Sequence, residues 1–261
     1  MVKYLAIGPG AMGYFTYIGS LAKLKHAGRL DDLEEISGAS AGALLAFAFA
    51  LAKGDTTKVL DHSLTVPAKQ MMKPSIKSFI KDWGMISNSK LRGVITDFIK
   101  NLTGKESFTF KELYEWYPVK LHVSSYCVNT SKTVYFSVDS SPNMNVTEAV
   151  CASIAIPFII SSAKLNDGWH YVDGATAEAL PGGPFLAKKP DDVLAIIFEW
   201  SKSGEIKDLK SYALALLTTQ MRSRATYSFP LITLKHSEID IYDFSLTQEK
   251  KLKLFMRGLS H

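Results

Sequence analysis

The feature that most constrains this chain is a strand, a tight turn and a buried helix built from small residues. Leu33 to Ser37 reads as a short strand. Gly38-Ala39-Ser40-Ala41-Gly42 is a turn with no side chain larger than serine, and Ala43 to Ala52 is an unbroken apolar run that Gly54 ends. A helix apolar all round has to be buried. Upstream, Val2 to Ile7 reads as a strand ending at Gly8, and Tyr14 to Ala27 as a helix stopped by Gly28, a natural residue just past a helix end. The opening is therefore β-α-β-α, which predicts an α/β fold of three layers, α/β/α, around a mainly parallel central sheet. With 261 residues, 47% apolar and 21% charged, the chain is expected to form one globular domain over residues 1–261.

Further along, Val119–Val128 and Thr133–Val138 read as strands of a hairpin around Asn129, and Val146–Ser153 as a helix stopped by Pro157. Tyr171-Val172 leads into Asp173-Gly174, Val193–Trp200 is a continuous apolar strand, and Ile206–Arg224 reads as a helix. Ile239–Phe244 alternates like a strand, and Thr247 caps a terminal helix running to Leu259.

The turn around Ser40 carries chemistry. A nucleophile elbow needs small residues beside the serine, a strand before it and a helix after it, so that Oγ projects at a helix N-terminus. The bland alternative is a plain turn of small residues. Gly8-Pro9-Gly10-Ala11-Met12-Gly13 follows the first strand. Read as G-x-G-x-x-G it is a dinucleotide loop, with Glu34 or Glu35 as the acid such a site wants about 20 residues on. Read beside a nucleophile elbow it is an oxyanion loop, with N–H donors at Gly10 and Ala11. Asp173-Gly174-Ala175 is by itself an ordinary turn, but it supplies a base for the serine. Of the six histidines, only His236 follows Asp173 in the order of a Ser-Asp-His triad without being terminal, and nothing in Thr233–Ser237 marks it as catalytic. Cys127 and Cys151 lie in apolar stretches and read as small buried hydrophobes.

These motifs, in this order, resemble the patatin-like phospholipase family. The likeness runs from Val2 to about Leu186 and includes Glu148–Pro157, which looks like the family's A-x-x-A-S-x-A-x-P segment, and Thr109-Phe110-Lys111-Glu112-Leu113, which resembles its T-F-x-E-L element. Met12 stands where the family often has Arg or Lys, and Pro9 where it usually has Gly. The resemblance implies a Ser-Asp dyad without a catalytic histidine, acting on lipid acyl esters with no cofactor and no metal. By position Ser40 is the nucleophile and Asp173 the base. Gly10 and Ala11 are the oxyanion donors, and Gly8 and Gly13 shape their loop. Gly38 and Gly42 form the elbow, and Gly174 and Ala175 complete the D-G-A motif. Alternatives that stay open are a thioesterase, protease or carboxylesterase on the same machinery, a nucleotide-binding oxidoreductase using Gly8–Gly13, and a non-catalytic interaction module.

Between Lys53 and Lys120 there are 12 Lys/Arg against 7 Asp/Glu, an excess of 5 that equals the net charge of the whole chain. Met72, Ile76, Phe79, Ile80 and Trp83, and then Leu91, Val94, Ile95, Phe98 and Leu102, fall at helical spacing among these lysines. The segment of about 60–118 thus reads as basic amphipathic helices, a candidate lid suited to an anionic lipid surface. The alternative is ordinary packing on the core with solvated lysines. The expected partner is a lipid or phospholipid substrate at a peripheral membrane surface, with no nucleic acid. The first eight residues hold an apolar run too short for a signal peptide, and no run approaches the ~20 residues of a membrane span. The expected location is the cytoplasm or another intracellular compartment, so the Asn-x-Ser/Thr triplets are read as chance.

Overall fold

The computed structural model describes residues 1–66, 74–176, 178, 180–199, 205–208, 211, 212, 215, 216, 229–235, 239, 240 and 243–261. The opening is β1 (Tyr4–Ile7), α1 (Tyr14–His26), β2 (Glu35–Ala39) and α2 (Ala41–Leu51). There follow α3 (Thr56–Thr65), α4 (Ile76–Asp82), β3 (Gly84–Ile86), α5 (Asn88–Thr103) and α6 (Phe110–Trp116). Next come β4 (Lys120–Cys127), β5 (Lys132–Phe136), α7 (Val146–Ser153), β6 (Phe158–Ile160), β7 (Ala163–Lys164) and β8 (His170–Asp173). The chain ends with β9 (Val193–Phe198), β10 (Leu231–Leu234) and α8 (Gln248–Ser260).

Local chemistry explains many of these limits. Asp55 accepts from Thr57 N and Lys58 N at the start of α3, and Thr109 and Glu112 form a reciprocal capping box on α6. Asn145 caps α7, and Thr247 caps α8 as its sequence suggests. Of the helix expected at 206–224 only 206–208, 211, 212, 215 and 216 are among the described residues, and 241 and 242, the middle of the strand expected at 239–244, lie outside them.

The main sheet runs β10-β9-β1-β2-β4-β8-β7, with β5 on β4. β10, β9, β1, β2 and β4 are mutually parallel, while β8 and β5 run antiparallel to β4. Both faces are buried, which accounts for the near-continuous apolar runs of β1 and β9. Leu5, Ile7, Leu194 and Ile196 enter the large core with α1, α2 and α7, whereas Ala6, Val193 and Ala195 pack with Leu180, Phe185 and Phe229.

The register of β4 brings two distant parts of the chain together. Val123 and Ser124 pair with both β2 and β5, and Ser125 to Cys127 pair with both β5 and β8. A residue has one partner per strand edge, so β2 and β8 lie end to end along one edge of β4, with β5 on the other. They run in opposite senses, so their C-terminal ends meet: Ala39 pairs with Ser124, and Asp173 with the next residue, Ser125.

The basic segment is not uniformly helical. β3 divides it, pairing in parallel with β6. Its two amphipathic helices differ. α5 buries Leu91, Ile95 and Ile99, whereas α4 leaves Ile76 and Ile80 exposed.

At the opposite end of the sheet Glu35 accepts from His122 Nε2 at 2.7 Å and Lys188 Nζ at 2.8 Å. Chiefly the His122 hydrogen bond, with help from Lys188, holds its carboxyl down at about 2. A carboxylate depressed below its unfolded value of about 4.3 stabilises the fold above that pH and loses the effect as pH falls toward 2. Glu35→Gln is expected to cost about 2–3 kcal/mol at pH 7. Urea unfolding at pH 7 and pH 3 should show the difference between variant and parent shrinking at the lower pH.

Candidate active site

Ser40 occupies the single residue between β2 and α2, at φ 55° and ψ −123°. That left-handed backbone is rare for a non-glycine residue and stores roughly 1–3 kcal/mol of strain. The flanking glycines make the turn geometrically feasible. A Cβ on Gly38 would lie 2.4 Å from the Gly42 carbonyl oxygen, and one on Gly42 would lie 2.2 Å from the Ile7 carbonyl oxygen. The result is a serine held at the first turn of a helix, just past the C-terminal end of an interior strand.

Its partner arrives through the head-on meeting of β2 and β8. Ser40 Oγ donates to Asp173 Oδ2 at 2.6 Å, and both side chains are buried. The other carboxylate oxygen, Oδ1, accepts from Ala175 N at 2.8 Å, which fixes the plane of the carboxylate. Burial raises the Asp173 carboxyl to about 7, against the opposing pull of the hydrogen bonds from Ser40 and Ala175. A group poised there can exchange a proton near neutrality.

The stretch from Ser153 to Ala155 braces both partners. Ser153 Oγ accepts from Ser40 N at 2.9 Å, and the Ala155 carbonyl accepts from Asp173 N at 2.9 Å. One turn at the end of α7 thus sets the relative position of two residues 133 apart in sequence. Ser153 falls in the A-x-x-A-S stretch, but nothing in the sequence marks it for this task.

The glycine-rich loop lies beside this pair. Gly8 N bonds to the Ile196 carbonyl, Gly13 N to the Gly10 carbonyl, and Tyr17 Oη donates to the Pro9 carbonyl at 2.9 Å. Ala11 stands at φ 45° and lines the same cavity as Ser40. Glu34 and Glu35 lie at the start of β2, level with Tyr4 at the start of β1, and so at the far end of the strands from Gly8–Gly13. A dinucleotide ribose next to this loop would be out of their reach.

Among the described residues no histidine is hydrogen-bonded to Ser40, whose side chain pairs with Asp173. His122 is bonded to Glu35, and His170 Nδ1 to Ser162 Oγ at 2.9 Å, while His236 lies outside the described residues. Both cysteines are buried, and burial pushes the Cys151 thiol up to about 12, out of the range of a useful nucleophile. Among the described residues there is no group of His, Cys, Asp and Glu that could hold a metal ion.

The cavity over Ser40 has a volume of about 170 Å³. Its wall is mostly apolar, with Leu44 from α2, Val94 and Phe98 from α5, Ile154 from the brace and Ile156 just after it. α5 therefore packs on the core and walls the cavity at the same time. Beyond it lies an exposed apolar surface. Trp83 packs against the His170 ring at a centroid distance of 5.3 Å, and its neighbour Gly84 pairs with Phe158. Ile76, Ile80, Trp83, Phe158 and Trp169 are all exposed, with Lys77, Lys81 and Lys164 among them. No helix of the described residues is long and apolar enough to cross a membrane.

A family model described as patatin-like phospholipase matches residues 5–186. An uncharacterized protein of Acanthamoeba polyphaga mimivirus is 27% identical over 180 residues, which are 66% of this chain and 58% of that protein. Among solved structures, VipD from Legionella pneumophila is similar with a TM-score of 0.63 at 16% identity, covering 99% of this chain and 65% of VipD. ExoU, solved as the heterodimeric ExoU-SpcU complex of the Pseudomonas aeruginosa type III secretion system, gives a TM-score of 0.50 at 16% identity over 99% of this chain and 50% of its own. At such identities the two structures speak for a shared fold. The chain spans less than two thirds of the length of each of these relatives.

Proposed function

The chain belongs to the patatin-like phospholipase family, and on that premise we propose that it is a lipid acyl hydrolase of phospholipase A type working through a Ser40–Asp173 dyad. The observation that carries this reading is the 2.6 Å hydrogen bond from Ser40 Oγ to a buried Asp173 whose carboxyl titrates near 7, at the wall of an apolar cavity. The backbone of Ser40 supports its reading as a nucleophile elbow. The burial of both sheet faces supports the three-layer arrangement.

The reaction follows from these groups. Ionised Asp173 takes the Ser40 hydroxyl proton as Oγ bonds to the ester carbonyl carbon, and the carbonyl oxygen becomes an oxyanion. The N–H groups of Gly10 and Ala11, with the first turn of α2, stabilise that charge, while Gly8 and Gly13 hold the loop. Collapse breaks the carbonyl–alkoxy bond, and the leaving alcohol takes the proton from Asp173. Water then repeats the sequence on the acyl-enzyme, releasing the fatty acid and restoring Ser40.

The surface formed by Ile76, Ile80, Trp83, Phe158 and Trp169 suits contact with a bilayer. Its lysines would meet anionic head groups as its rings enter the interface. Fatty-acid release from vesicles of mixed phosphatidylcholine and phosphatidylglycerol tests both parts. Ser40→Ala should lose about 10³-fold or more of the rate while still binding vesicles. Trp83→Asp should weaken vesicle binding, as should added salt, and should leave hydrolysis of a soluble ester intact. Full activity in Ser40→Ala would defeat the dyad, and indifference to vesicles would defeat the interfacial surface. Preference for soluble esters or thioesters over lipids would favour a carboxylesterase or thioesterase on the same dyad.

A further inference from the structure

The cavity that holds Ser40 contains one charged side chain at odds with its surroundings. Lys251, in the first turns of α8, is only 6% exposed and lines the wall with Phe15 and Val66. Its Nζ lies 3.4 Å from the Val66 carbonyl oxygen and 5.4 Å from the centroid of the Phe15 ring. Among the described residues it forms no ion pair with any carboxylate. Nearby Lys253 behaves as a surface lysine should, pairing with Glu249 one turn away while both stay exposed. The other polar groups near this corner satisfy each other, with Tyr14 Oη and Ser63 Oγ hydrogen-bonded at 3.0 Å.

An ammonium on a buried side chain, with one long hydrogen bond and a ring face, is in an unfavourable place, because an ion drawn even partly out of water loses solvation that a counter-charge would offset. Burial holds its pKa below the usual lysine value. A methionine or leucine would fill the same space without that cost. The counter-charge that the described residues do not supply fits a ligand that enters the cavity.

Resting on the hydrolase reading, we infer that Lys251 is a specificity residue which pairs with an anionic oxygen group carried by the ester substrate. Two parts of a substrate could bring that group: a phosphate in the alcohol half, as in a lysophospholipid, or a carboxylate at the far end of the acyl chain. Either would exchange a solvated anion for a charge-assisted hydrogen bond in a water-poor site.

Steady-state kinetics on matched esters tests this. Lysophosphatidate against monoacylglycerol of the same chain probes the phosphate, and 4-nitrophenyl hydrogen glutarate against 4-nitrophenyl butyrate probes the acyl carboxylate. The parent should prefer the anionic member of one pair. Lys251→Met should lose about tenfold or more in kcat/KM on that ester, mainly through KM, and stay within about threefold on its neutral partner. Lys251→Arg should restore part of the preference. Neutral-ester turnover also reports that each variant is folded.

Equal losses on the charged and neutral esters, or no preference in the parent for either anionic ester, would overturn the assignment while leaving the dyad standing. No turnover of any ester, together with no fluorophosphonate adduct on Ser40, would overturn the hydrolase reading and this inference with it.

Discussion

Asp173→Asn is expected to abolish ester hydrolysis and, in the same protein, to stabilise the fold above pH 7. The two effects have one cause. Asp173 is buried and its carboxyl sits at about 7 rather than near its unfolded value. Between about pH 4 and pH 7 the native state keeps a proton that the unfolded chain has already released, so stability falls as pH rises through this window and levels off above it. Integrated over about three pH units, the ionised carboxylate costs on the order of 4 kcal/mol at pH 8. Asparagine keeps the shape, can accept from Ala175 N, and carries no charge to desolvate. It also cannot take the Ser40 proton, so the rate should fall about 10³-fold or more. Thermal unfolding at pH 5 and pH 8 beside an esterase assay checks both. An active variant, or one destabilised at pH 8, would contradict the role given to this carboxyl. The parent enzyme should gain activity as pH rises through about 7.

The second large effect concerns backbone. Gly42→Ala places a methyl group 2.2 Å from the Ile7 carbonyl oxygen and 2.7 Å from that of Gly8. Both oxygens belong to the main chain of β1 and its extension, which is paired on both sides by β2 and β9. Relief therefore requires moving α2 away from the sheet. A loss of about 3 kcal/mol or more is expected, or roughly 6–12 °C in Tm, together with the activity. Gly93→Ala in α5 is the control. A Cβ there meets nothing within 4 Å, so alanine should raise stability by up to about 1 kcal/mol through helix propensity. If the two variants melted together, the close approach of α2 to β1 would not have the importance given to it.

Much of this arrangement can be read from local pattern. The first four elements follow from apolar runs punctuated by glycine, and Ser40 is recognisable because its turn contains only small residues between a strand and an apolar helix. Asp173 is visible only as a member of a motif. What joins it to Ser40 is the antiparallel course of β8 and the shared edge of β4, and neither leaves a mark within a window of ten residues. β3, β6 and β7 are two or three residues long, too short for any period to show. They take their form from pairing with distant partners. Ser153 looks like one more small residue in a helix, and its service to Ser40 N depends on how α7 packs. Lys251 reads as one of several lysines on α8, and only tertiary packing sets it apart from Lys253. The basic segment misleads in a different way. Amphipathic spacing shows that a helix has an apolar face without showing what covers it, and the core covers that face in α5 but not in α4.

The most direct test of the central claim is covalent labelling by a fluorophosphonate, with the adduct located by mass spectrometry across pH 5 to 9. The dyad predicts a single adduct on Ser40, forming faster as pH rises through about 7 and nearly absent in Asp173→Asn. An adduct on another serine, or labelling of Ser40 at an undiminished rate in Asp173→Asn, would contradict it.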